Sequence, residues 1–96
     1  MLISPTVEVV EERIKEILRA VMQDSVVPEQ LGSDLPLVKA GLSLDSVALL
    51  EVVVRIEGEF NILLDDGVLT LEHFESLGSL ARAVQQQISR QAAATA

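Results

Sequence analysis

No cysteine occurs among the 96 residues. That excludes disulfides, thiolate zinc sites and cysteine nucleophiles from the chain's own chemistry. A single histidine, His73, leaves almost no room for a His-based metal cluster or triad. Tryptophan and tyrosine are missing, and phenylalanine occurs only at Phe60 and Phe74. A core must therefore be built from Leu, Ile, Val and Ala. Bases are scarce: 7 Lys and Arg against 15 Asp and Glu give a net charge of −8. A phosphate backbone or an anionic lipid surface needs a face rich in Lys and Arg, so neither is an expected partner. No apolar run approaches the roughly 18 residues of a membrane span. The opening Met1-Leu2-Ile3-Ser4-Pro5 has no basic n-region and no apolar h-region, so no signal peptide is expected and the default compartment is the cytoplasm.

What is present is an apolar content of 49%, too high for a disordered chain. The length suits one domain with one small core. The acids are spread along the whole chain rather than gathered in a tail. An evenly acidic surface suits docking onto basic patches of partners.

Periodicity places the elements. In residues 4–23, Val7, Val10, Ile14, Ile17, Leu18 and Val21 recur at helical spacing. Ser4 is the expected N-cap with Pro5 at the first helical position, and Glu11 and Lys15 form an expected i,i+4 pair. Residues 24–44 form a long connection interrupted by Pro28, Gly32, Pro36 and Gly41. It is apolar enough to pack onto the helices, and loops of this length are often functional. A second helix runs from Asp45-Ser46 to Phe60, with an expected core stripe of Leu49, Leu50, Val53, Ile56 and Phe60 and Val52 at its edge. Val47 and Val54 lie off that stripe beside Glu51: two ordinary surface valines, or a docking face. A loop from Asn61 to Gly67 follows. Read as a calcium loop it fails, because Ile62 and Leu64 stand where oxygen ligands are needed. A short helix is expected near Thr70–Glu75, then a last helix capped by Ser76, with Leu77, Leu80, Ala81, Val84 and Ile88 inward. From Gln85 the chain turns polar, and residues 89–96 are expected to fray.

No catalytic constellation emerges. His73 lies alone in a short amphipathic stretch. Asp65 and Asp66 are adjacent, so they point apart rather than converge, and they read as a solvated turn. No Gly-rich phosphate loop is present. Ser46 draws notice because it follows an apolar loop and begins a helix behind Asp45. Taken alone, the pair is ordinary capping chemistry.

The wider pattern says more. The stretch Gly41-Leu42-Ser43-Leu44-Asp45-Ser46-Val47-Ala48-Leu49-Leu50-Glu51 is followed by Glu57, Glu59, Phe60 and Ile62. Then come Asp65-Asp66, Thr70, Phe74 and Ser76-Leu77-Gly78-Ser79-Leu80-Ala81. From the first helix to about Gln87 this resembles the acyl carrier protein family, which includes peptidyl and aminoacyl carriers. The closing Phe-x-Ser-Leu-x-x-Leu-Ala is most similar to discrete carriers.

The resemblance implies an all-α fold, a small four-helix bundle over residues 1–88 with a long first loop, a short third helix and a frayed tail at 89–96. It implies that Ser46 receives 4′-phosphopantetheine from coenzyme A, moved by a phosphopantetheinyl transferase with Mg²⁺, and that Asp45 helps engage that enzyme. The chain would then be a carrier and not an enzyme. The second helix would be the partner face, through Val47, Glu51, Val54 and Glu57. The implied partners are the transferase, an acyl- or aminoacyl-loading ligase, and downstream synthase or transferase enzymes with basic docking patches; a monomer is expected. Val47, Ala48, Arg55 and Gly58 depart from the usual acidic pattern, which suggests a specialised polyketide, nonribosomal peptide or lipid pathway. The alternative is an unmodified acidic interaction module in which Ser46 is only a helix cap.

Overall fold

The computed structural model describes residues 5–22, 32–34, 37, 45–65 and 72–95, with backbone alone at Ser46 and 93–95. These residues form three helices and no strand: α1 (Val7–Val21), α2 (Ser46–Phe60) and α3 (Leu77–Thr95). The α1 helix packs against both α2 and α3.

The α1 stripe is the one its spacing predicts: Val10, Ile14, Ile17 and Leu18 are buried, with Val7 and Val21 packed at the margins. Its start differs from expectation. The N-cap is Thr6, whose hydroxyl accepts from the Val9 N–H at 3.3 Å, and Pro5 lies before the cap. Ser4 lies outside the described residues. Threonine caps nearly as well as serine, so either register was chemically open. The outer face also pairs differently. Lys15 bonds Glu12 at 3.2 Å and Arg19 bonds Glu16 at 3.0 Å. Glu11 is drawn away instead, accepting from the Ser33 hydroxyl at 2.6 Å.

The α2 helix buries Val52, Val53 and Ile56, with Ala48, Leu49 and Phe60 partly covered. The expected stripe had Leu50 inside and Val52 at the edge; the structure leaves Leu50 64% exposed and buries Val52 fully. Apolar residues occupy so many positions of α2 that the pattern fixes its rotation poorly, and packing against the other helices decides it. Asn61 ends the helix at φ 54°, ψ 51°, the left-handed conformation that Asn tolerates better than most residues. Arg13 of α1 donates to Glu59 of α2 at 2.6 Å, an exposed tie between the two helices.

Gly58 sits inside α2 with open space where a Cβ would be. Gly58→Ala is therefore expected to stabilise the fold by about 1 kcal/mol, read as a raised urea midpoint. Gly78 in α3 should not show that gain. Its N–H donates to the Ser33 carbonyl at 2.8 Å, and a Cβ there would stand 3.1 Å from that same oxygen.

Ser76 caps α3 as expected, and the cap is reciprocal. The Ser79 N–H donates to the Ser76 hydroxyl and the Ser76 N–H to the Ser79 hydroxyl, both at 3.1 Å. Leu77, Leu80, Ala81, Ala83 and Val84 are buried beneath it. The expected short helix near Thr70–Glu75 falls partly outside the described residues; Glu72–Phe74 form a turn. Of the apolar residues of the long connection, Leu37 is fully buried and the others lie outside the described residues.

The stretch expected to fray continues as helix to Thr95. Its glutamines have work that polarity conceals. Gln87 is buried, and Gln91 holds the segment after α2: its Oε1 accepts from the Leu63 N–H at 3.1 Å, and its Nε2 donates to the Leu63 carbonyl at 2.7 Å. Gln91→Ala should speed amide exchange at Leu63 selectively, because local opening needs only those bonds to break. Unchanged exchange at Leu63 would show that the two bonds do not hold the segment.

Candidate functional site

The start of α2 is built by Asp45. Its backbone is extended, at φ −84° and ψ 177°. One carboxylate oxygen accepts from the Ala48 N–H at 2.8 Å, and its carbonyl accepts the first helical bond from Leu49 at 2.9 Å. Asp45 is thus the cap and Ser46 the first helical residue. The alternative in which Ser46 serves as the cap is corrected on this point: that position is filled by the residue before it.

The placement has electrostatic consequences. The first N–H groups of a helix have no acceptor within it, and the aligned peptide dipoles leave that end partly positive. With Ala48 bonded to Asp45, the N–H groups of Ser46 and Val47 remain to face an anion. No acidic residue lies in the first turn to oppose one. A phosphodiester on residue 46 suits such a helix end.

Next to it rises an exposed apolar stripe. Val47, Leu50 and Val54 are 77%, 64% and 58% exposed, at the i, i+3, i+7 spacing of a single helix face. Leu50 is the member that sequence reasoning missed. Its signal was its spacing, three residues after Val47 and four before Val54. Glu51 flanks the stripe and lies 3.6 Å from Arg55 on its own helix. Glu57, grouped with these residues on sequence grounds, is placed otherwise. It is half-buried and accepts from the Leu64 N–H at 2.8 Å, so one of its oxygens serves the segment after α2.

Elsewhere, His73 is half-buried in the turn before α3, and its carbonyl accepts from the Ser79 hydroxyl at 3.0 Å. Glu72, His73, Glu75 and Arg82 line an open pocket of about 370 Å³. Asp65 is exposed, and Asp66 lies outside the described residues. Among the described residues, no group of three His, Asp or Glu side chains could hold a metal ion.

A helical domain with a capped serine at a helix start and no cysteine of its own defines a class: a carrier of an imported reactive group. Comparison with known proteins makes this specific. The family described as the phosphopantetheine attachment site matches residues 12–84, including all of α2. Aminoacyl carrier protein 2 of Bradyrhizobium diazoefficiens is 28% identical over 79 residues, covering 82% of this chain and 86% of that protein. The chain belongs to the phosphopantetheine attachment site family and is a member of the acyl carrier protein family. The cofactor is 4′-phosphopantetheine, covalently bound, and the family is one of non-catalytic carriers.

Proposed function

We propose that Ser46 is the attachment point and that the chain carries acyl or aminoacyl groups as thioesters between enzymes. One observation carries this reading: within the matched region, Ser46 is the first residue of α2, and the residue before it supplies the cap. The serine hydroxyl is therefore not needed to hold the helix. The Ser46 oxygen would bond to the pantetheine-bearing phosphorus of coenzyme A. The bond from that phosphorus to the bridging oxygen breaks, adenosine 3′,5′-bisphosphate leaves, and the serine proton passes to a base of the transferase. One oxygen of Asp45 holds the Ala48 N–H, and the other is left to engage the transferase and its Mg²⁺. The attached arm supplies a terminal thiol, which a chain without cysteine otherwise lacks.

The likeness to a protein named as an aminoacyl carrier favours an amino acid as cargo. The sparse acids of α2, with Ala48, Arg55 and Gly58, favour a dedicated carrier of a specialised pathway. Enzymes of fatty-acid synthesis should then use it poorly; efficient use would sink that part of the reading. The net charge of −8 steers a monomeric, cytoplasmic carrier toward loading and downstream enzymes with basic surfaces, and raises association rates. The test is the intact mass after incubation with coenzyme A, Mg²⁺ and a broad-specificity phosphopantetheinyl transferase. A gain of one phosphopantetheine supports the reading. No gain from several transferases, on folded protein, overturns it.

A further inference from the structure

We infer that the enzyme acting at Ser46 grips this carrier through an apolar groove seated on Val47, Leu50 and Val54, not through basic residues paired with the acids of α2. The inference rests on the carrier reading above and names the partner surface that reading requires.

The occupant is fixed by position. Val47 follows Ser46 directly, and Leu50 and Val54 continue the same face along α2. An enzyme reaching residue 46 therefore covers Val47 and extends naturally over the next two turns. Three large apolar side chains, each more than half exposed, lie there together. Scattered exposed apolar residues are ordinary, but a continuous stripe beginning at the reacting residue is a contact surface.

The charges of α2 point the same way. Its acids are already engaged by the chain itself. Asp45 caps the helix, Glu51 faces Arg55 across one turn, Glu57 holds the Leu64 N–H, and Glu59 pairs with Arg13. A basic partner would have to compete with Arg55 for Glu51 and with Arg13 for Glu59. The net charge still acts at a distance. Long-range attraction governs the encounter rate, whereas short-range packing governs how long the complex lasts. Salt should therefore slow association and leave dissociation almost unchanged.

The experiment uses the full chain and a broad-specificity phosphopantetheinyl transferase. The rate of mass gain is measured for wild type, Leu50→Gln and Glu51→Gln at low and high NaCl. Glutamine and leucine have similar helix propensities, and circular dichroism with urea unfolding confirms that each variant is folded. Leu50→Gln is expected to lower kcat/KM by about tenfold or more at both salt concentrations, as an interface anchor does. Glu51→Gln is expected to stay within about twofold, as a rim charge does. Binding kinetics of the unreactive Ser46→Ala chain should show association slowed by salt and dissociation changed by less than about twofold. Efficient modification of Leu50→Gln, a larger loss in Glu51→Gln, or dissociation strongly accelerated by salt would overturn the inference while leaving the carrier reading intact. A folded wild type that no transferase modifies would overturn the carrier reading itself, and this inference with it.

Discussion

Ser46→Ala is expected to gain no phosphopantetheine at all and to unfold within about 0.5 kcal/mol of wild type. The two halves have separate causes. Without the hydroxyl there is no oxygen at residue 46 to bond phosphorus. The small stability change follows because the cap bond to Ala48 comes from Asp45, and alanine is well tolerated in a first turn. Asp45→Ala should behave in the opposite way, losing about 1 kcal/mol with the cap. Asp45→Asn keeps a good cap but lacks the charge, so it should fold normally and be modified slowly. A Ser46→Ala protein that still gains the mass would move the attachment elsewhere. One that loses as much stability as Asp45→Ala would mean that the cap is misassigned.

The second large effect lies in the core. Leu80 is fully buried in α3, within the cluster that includes Ile14 and Leu18 of α1 and Ile56 of α2. Leu80→Ala should cost about 2–5 kcal/mol through lost burial and the cavity left behind. In a domain of this size each kcal/mol lowers Tm by about 4–8 °C, so thermal unfolding should show a fall of ten degrees or more. Leu50→Ala makes the same chemical change on a neighbouring helix, yet Leu50 is mostly exposed. Its expected cost is within about 0.5 kcal/mol. Equal losses at the two sites would mean that α2 is rotated relative to the structure described here.

These positions also mark what the sequence could convey. The α1 stripe was legible because apolar and charged residues alternate cleanly at helical spacing, so one rotation is clearly best. In α2, Leu49, Leu50, Val52, Val53, Val54 and Ile56 crowd all sides. The packing of α1 and α3 had to choose among them, and Leu50 was left outside. At the site, the Asp-Ser pair and its setting were readable, but which residue caps was not. Both are good caps, and only the Asp45 bond to Ala48 separates them. Glu57 looked like a surface acid because its bond to Leu64 is made across a loop that periodicity does not describe. Gln91 looked like tail for the same reason: its partner lies 28 residues back along the chain.

That glutamine carries a further consequence. Its amide meets both backbone groups of Leu63 as a neighbouring strand would, while Ile62 and Leu64 point inward and Leu63 is left 75% exposed. In an extended segment, a shift of one residue exchanges the inner and outer side chains. Surface connections usually accept insertions at small cost. Here one added residue between Asn61 and Leu64 would either break the glutamine's double bond or turn a buried branched side chain to water. The connection after α2 is therefore fixed in length as well as in composition, and fusions or grafted loops on this carrier should be placed elsewhere.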